Sequence, residues 1–289
     1  MKSVITAAFS VSCLLSFILV AAVSKNSSVT VISYNIRYDT ADDGVNRWEN
    51  RKQHVADVIK SKSPDILGLQ EALHNQVMDL ESLLQGYAWC GVGKDDGKMK
   101  GEYSPVFFKK EKFSLLECGT FWLSENPDVP GSKSWDAAIT RIVTWAKLKE
   151  IVSGKIICVF NTHFDHKGET ARLESAKMLR EKIVLIAGYV PVIITGDFNS
   201  RPGSAPYAAM TRSKRDPLLF DTFEKAALRG KENFTGYGFD GKNENPARID
   251  YIFTTAGFEI SYFEIITTKY TEYFPSDHLP VYAELNLND

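Results

Sequence analysis

Residues 190–199 read Val-Pro-Val-Ile-Ile-Thr-Gly-Asp-Phe-Asn. Its β-branched, apolar first half predicts a buried strand. That strand runs out into Asp197 and Asn199, so two polar side chains sit at one strand end. The pattern recurs. Val29–Tyr34 ends in Asn35, Asp65–Leu69 leads through Gln70 into Glu71, and Lys155–Phe160 leads to His163, with Asp165 just beyond. Two polar groups fall at strand beginnings instead: Asp250 opens Tyr-Ile-Phe-Thr, and Asp277-His278 precedes Val281–Leu287. Strand ends running one way and strand starts running the other can share one rim of a mixed sheet. A cluster of Asn, Glu, His and Asp at that rim is costly to desolvate and calls for a cation or a substrate.

Further strands are expected at Pro105–Phe108, Thr120–Leu123 and Ile142–Leu148. Helical spacing marks Arg51–Lys60 (Val55, Val58, Ile59, then Ser63-Pro64 as the stop), Asn75–Leu84 and Glu169–Ile186. Many strands with a few amphipathic helices predict an α/β chain of two sheets packed face to face, helices outside. The length of 289 residues fits one large domain, and 44% hydrophobic with 24% charged residues excludes a disordered or coiled-coil chain. The formal net charge is −2. A strongly basic nucleic-acid binder would show an excess of Lys and Arg, so attraction to phosphate must be local or supplied by a metal.

The N-terminus reads separately. Lys2, the apolar run Val4–Val23 and the small residues Ala22-Val23-Ser24 describe a signal peptide over 1–24, leaving a domain over 25–289. A secreted or periplasmic protein is expected, with an uncleaved membrane anchor as the alternative. Cys90, Cys118 and Cys158 then remain, an odd and widely spaced set that makes no disulfide framework. Cys118 and Cys158 lie in apolar runs and are expected in the core.

Six segments together, Tyr-Asn35-Ile, Leu-Gln-Glu71, Asn-Thr-His163, Gly-Asp197-Phe-Asn199, Arg-Ile-Asp250 and Ser-Asp277-His278-Leu-Pro, resemble the endonuclease/exonuclease/phosphatase superfamily. The group includes pancreatic deoxyribonuclease, inositol-polyphosphate 5-phosphatases, neutral sphingomyelinases and deadenylases. The resemblance covers nearly all of residues 29–287, in order, and implies a four-layer α/β/β/α sandwich with two packed mixed sheets.

It also implies roles. Glu71 would hold a divalent cation with Asn35 nearby and Asp277 completing the shell, and hard oxygen ligands suit Mg²⁺ or Mn²⁺. Asp197 would orient or deprotonate a water, and Asn199 would steady that water or the phosphate. His278, polarised by Asp250, and His163 would donate to phosphoryl oxygens or act as acids. In the deoxyribonuclease branch a glutamate at the position of Glu102 braces the first histidine. Arg141 could reach phosphate, Arg37 could contact a second phosphate or pair with Asp39, and Asp165 stands beside the site as support. Each has a bland alternative as a turn cap, a core histidine or a solvated charge. For Asp250 that alternative is an ion pair with Arg248. Trp48 is expected to pack at a helix start, and Lys94–Lys100 to form a solvated loop.

Arg37 stands where abasic-site endonucleases of the superfamily carry an acid, which turns the reading from that branch towards the histidine-bearing ones. The expectation is a secreted, metal-dependent phosphoesterase, monomeric and without a stable protein partner. Its substrate is a nucleic acid, a nucleotide, or a sugar or lipid phosphate. Nuclease or phosphodiesterase chemistry is slightly favoured over a sugar- or lipid-phosphate phosphatase. From a different class, a non-catalytic binding module on the same fold is the rival.

Overall fold

A computed structural model describes residues 27–212 and 217–288. The expected signal peptide, 1–24, lies outside these described residues. Sheet one has the order β10-β12-β13-β1-β2-β4-β3. Its strands are β1 (Ser27–Asn35), β2 (Ile66–Gln70), β3 (Tyr87–Cys90), β4 (Val106–Lys109), β10 (Leu228–Arg229), β12 (Phe258–Ile265) and β13 (Val281–Leu287). Sheet two has the order β5-β6-β7-β8-β11-β9. It comprises β5 (Phe113–Trp122), β6 (Ile142–Glu150), β7 (Ile156–His163), β8 (Val192–Asp197), β9 (Phe220–Asp221) and β11 (Asp250–Thr254).

Period-two alternation sorts the side chains into layers. Along β1, Val29 and Val31 face sheet two, and with Ile66 and Val281 of their own sheet they meet Val159 and Ile193 of the other. Ile32 and Tyr34 face outward and meet Trp48, Val55 and Ile59 of α1 (Trp48–Lys62) and Val77 and Leu80 of α2 (His74–Leu83). Phe160 and Ile194 do the same on sheet two, against Ala176, Leu179 and Ile183 of α3 (Glu169–Ala187). Both faces of the central strands are therefore covered, which is why they read as unbroken apolar runs. The result is the four-layer α/β/β/α sandwich.

Three differences from the sequence reading have local causes. Strand β5 begins at Phe113 rather than near Thr120, because it is an edge strand whose Ser114–Cys118 stretch, Leu115 and Leu116 included, is exposed and lacks the in–out alternation of a half-buried strand. For the same reason Cys118 is exposed rather than in the core, whereas Cys158 is buried as expected. Lys94 is not in a solvated loop but buried. Trp48 does pack at the start of α1, with Nε1 donating to Asp79 Oδ2 at 2.8 Å.

At the end of the sandwich that carries the polar rim, the two sheets are tied by hydrogen bonds rather than by apolar packing. Asn161 Oδ1 accepts from Gln70 Nε2 at 2.7 Å and from Thr195 Oγ1 at 2.9 Å, while its Nδ2 donates to the carbonyls of Leu69 and Pro105. Gly68 makes room for this layer, since a Cβ there would sit 2.0 Å from Thr195 Oγ1 and 2.7 Å from Asn161 Oδ1. All of Asn161's polar atoms are satisfied in this buried layer, which ties the strand ends above it across the two sheets.

Candidate active site

Strands β7 and β8 are parallel and β11 is antiparallel to β8, with His163 opposite Asp197 and Asp197 opposite Asp250 in the register. Three functional groups of sheet two thus lie side by side. From sheet one, β1 and β2 are parallel and deliver Asn35 and Glu71. Chain direction reverses the backbone just past the strands: Arg37, Glu71 and Asn199 all take positive φ, at 56°, 61° and 46°. Non-glycine residues in that region cost energy, and three at one rim mark it as a place where geometry overrides comfort.

Asn35 joins the halves. Its Nδ2 donates to Glu71 Oε1 and to Asp197 Oδ2, both at 3.0 Å, and its Oδ1 accepts from the Arg37 amide. His278 Nδ1 lies 2.8 Å from Asp250 Oδ2, and its Nε2 lies 3.8 Å from Asp197 Oδ2. Burial works against a charged His278, but Asp250 and then Asp197 outweigh it and hold the ring well above its usual pKa. Asp197 is pushed up to about 7, by burial first and by Asp250 second. Asp197, Asp250 and His278 bring ligand atoms within 4.8 Å of one another. Such a trio can serve as an acid–base unit, and its ligand atoms are also close enough together to hold a metal ion.

His163 is the opposite case. Burial, then Arg141, drives its pKa well down, so the ring is neutral. Asn199 Nδ2 donates to the Phe164 carbonyl at 3.0 Å and lies 3.0 Å from His163 Nε2. With the Asn199 amide nitrogen as donor, Nε2 accepts and the ring proton resides on Nδ1, while the same Nε2 also lies 3.3 Å from Asp197 Oδ2. That Nδ1 is buried with no hydrogen-bond partner among the described residues.

Glu102 does not brace His163. It pairs with Lys94 Nζ at 2.9 Å and stands 3.8 Å from Arg141 Nη1. Arg141 is buried, and its Nε and Nη1 have no hydrogen-bond partner among the described residues. Asp165 accepts the amides of Ala138, Ile139, Lys167 and Gly168, so it shapes the loop that opens α3, and its Oδ2 lies 3.9 Å from Arg141 Nε. Arg37 pairs with Asp43 at 2.9 Å rather than with Asp39, and its Nε is 4.0 Å from Asp277. Arg248 belongs to Asp221 at 2.6 Å, which removes the surface ion pair as an account of Asp250.

Two contributors escaped the sequence reading. Lys94 sits in a mixed-charge run that looks solvated, and only the fold buries it. Arg51 carries its guanidinium under the rim, donating to the carbonyls of Ile36, Arg37 (2.6 Å) and Pro275 (3.3 Å). It ties the segment after Asn35 to the one before Asp277. Its place one turn into a helix gave no hint of this.

The sequence model of the Endonuclease/Exonuclease/phosphatase family matches residues 32–278. The chain belongs to that family. Its fold is close to that of an endonuclease/exonuclease/phosphatase from Bacteroides vulgatus, with a TM-score of 0.87 and 42% identity over 91% of this chain and 100% of the other. A mannosyl-6-phosphatase of Bacteroides thetaiotaomicron is 38% identical with a TM-score of 0.84, over 89% of this chain and 99% of that one. The 3'-5'-exoribonuclease subunit Ccr4 of Mycosarcoma maydis is 24% identical over 91% of this chain, which spans 51% of that protein. The chain spans 32% and 36% of two other curated relatives, an uncharacterised mimivirus protein and fruit-fly nocturnin.

Proposed function

We propose that this member of the family is a secreted, divalent-metal-dependent phosphatase that hydrolyses a phosphate monoester on a sugar. The observation that carries the monoester reading is the buried Arg141, whose Nε and Nη1 lack hydrogen-bond partners beside the partnerless Nδ1 of His163. Buried donors left open in this way are costly unless a ligand fills them. A terminal phosphate offers more negative charge and more free oxygens than a diester, and Lys94 adds a second buried cation next to Arg141 through Glu102. The full-length likeness to the mannosyl-6-phosphatase supports the sugar. Both observations turn the preference from nuclease to phosphatase.

The residues fit a hard cation. Glu71 is half-buried, and its carboxyl is pushed up by burial and then by Asp277, an imbalance of negative charge that a divalent ion would relieve. Glu71, Asn35 and Asp277 would hold Mg²⁺ or Mn²⁺, which supplies Lewis-acid polarisation of a phosphoryl oxygen. The remaining work belongs to the chain. Asp197, titrating near neutrality, takes the proton of the attacking water. Asn199 fixes the His163 tautomer, and His163 Nδ1–H with Arg141 donates to phosphoryl oxygens. His278, kept protonated by Asp250, stabilises charge developing on the transferred group and supplies a proton to the departing alkoxide. The apolar run before Ser24 supports export.

A hydrolysis panel with added Mg²⁺ tests the reading, comparing mannose 6-phosphate and an aryl phosphomonoester with a bis-aryl phosphodiester, DNA and RNA. Monoesters should turn over fastest, with the sugar phosphate above the aryl ester. Faster cleavage of the diester or of RNA would return the protein to the nuclease reading.

A further inference from the structure

Away from the rim, two cysteines meet across the open side of the sandwich. Cys90 ends β3, the outermost strand of sheet one, and Cys118 lies in β5, the outermost strand of sheet two. β4 packs against β6 and β7, so β3, one strand further out, falls over β5 and β6. A bulge between Leu115 and Glu117 decides where Cys118 points. Beyond it Cys118 stands opposite Ala146 and Thr120 opposite Thr144. Ala146 is part of the core between the sheets, so Cys118 faces that core from its edge. On the same face Thr120 Oγ1 reaches Thr144 Oγ1 at 3.4 Å. From the other sheet, a Cβ at Gly91 would lie 3.5 Å from that same Thr144 oxygen. Cys90, the neighbour of Gly91, is buried in the same core. Gly91 and Cys118 line one recess at this edge, and the interaction between the two thiols holds the exposed Cys118 below the usual thiol range and Cys90 above it. Both are free thiols here.

We propose that Cys90 and Cys118 are a dithiol pair that a small disulfide oxidant closes into an intramolecular bond, clamping the open edges of the two sheets. The Cys118 thiolate attacks one sulfur of oxidised glutathione and expels a glutathione thiolate. Cys90, losing its proton, then attacks the Cys118 sulfur of the mixed disulfide and expels the second glutathione. Two protein thiols lose two protons and two electrons, and one oxidant disulfide becomes two thiols. Cys118 leads because it alone of the pair is exposed to the oxidant. The chain from Cys90 onward carries Lys94 and Glu102 to the rim, and it is already tied to β5 by the Trp122 Nε1 bond to the Lys94 carbonyl at 2.6 Å. A covalent bond between residues 90 and 118 would fasten the same two partners and restrict the unfolded chain.

The full chain is incubated with oxidised glutathione at mildly alkaline pH and compared with a dithiothreitol-reduced sample by intact mass, thiol counting after unfolding, and melting temperature. The oxidised protein should be lighter by two hydrogens and retain only Cys13 and Cys158 as titratable thiols. It should melt higher by on the order of 5–10 °C, the scale for closing a loop of this length in a protein of this size. Cys90→Ser should stop at a glutathione adduct on Cys118. Cys118→Ser, a change at an exposed position, should fold normally and give neither adduct nor bridge. A wild-type protein that ends as the glutathione adduct, keeps its thiols, or forms the bond without melting higher would overturn the proposal.

Discussion

Glu71 and Asp165 are both carboxylates near one rim, on opposite sheets, and the fold treats them in opposite ways. Asp165 is buried, which alone would raise its pKa, yet amides led by those of Gly168 and Lys167 bring it down to about 2. Among the described residues Glu71 accepts only Asn35 Nδ2 and the Tyr38 amide, at 3.0 and 3.2 Å, and burial, then Asp277 and Glu102, push its carboxyl up. A carboxylate whose needs are met by backbone amides is part of the scaffold. One left short of donors among other acids is reserved for a ligand that arrives later. The histidines repeat the lesson. His278 is charged by its two aspartates, while His163 is kept neutral beside Arg141.

The largest effects should come from the histidine side. His278→Ala and His163→Ala are each expected to lower kcat by about 10²-fold or more, the scale of a charge-stabilising or acid–base group. Melting temperature should scarcely move in either variant. Early unfolding with full activity per folded molecule would make these histidines structural. Because His278 Nδ1 and Asp250 Oδ2 are 2.8 Å apart, the two act as one unit. Asp250→Asn added to His278→Ala should therefore cost almost nothing further, and losses that multiply would break the unit.

On the acidic side, Glu71→Gln should raise the Mg²⁺ concentration for half-maximal turnover by about tenfold, since the principal charged ligand is gone. A metal titration superimposable on wild type would move that role to another residue. The same variant sharpens the comparison through stability. A carboxyl whose folded pKa is raised destabilises the fold when ionised, so metal-free Glu71→Gln should melt at or above wild type at pH 7.

Asp165→Asn should do the reverse. A folded pKa near 2 against about 3.8 unfolded means a contribution on the order of 2 kcal/mol, present above pH 4 and lost as pH falls through 2. The variant should melt about 5 °C lower at neutral pH, and the gap should close below pH 3. If Glu71→Gln and Asp165→Asn shift the melting temperature in the same direction, the contrast between the two carboxylates fails. The smallest effect is expected at Lys94→Gln. In the proposed site it would reach a phosphate through Glu102 and Arg141, so a severalfold rise in KM with kcat kept is the outcome to look for in steady-state kinetics.

Much of this was legible in the chain. Apolar runs of strand length ending in Asn35, Glu71, His163 and Asp197 could share a common rim, and the parallel pairs β1–β2 and β7–β8 bring them there. The apolar phase of α1, α2 and α3 placed helices outside, since each helix had one face to bury. What the chain could not disclose were relations between residues far apart. Glu102 turned to Lys94 instead of His163 because the loop after Cys90 folds back under Trp122, and nothing local encodes that return. Arg51 reached three rim carbonyls because α1 lies against β1, and an arginine one turn into a helix looks the same whether solvated or buried. Gln70 and Asn161 became the hinge pin between sheets only when Gly68 let the two backbones approach. Pattern along a strand is set by its own pleat, so sequence determines which faces are apolar and where the polar ends fall. Charge state, tautomer and partnership depend on what comes across the gap, and only the tertiary structure decides that.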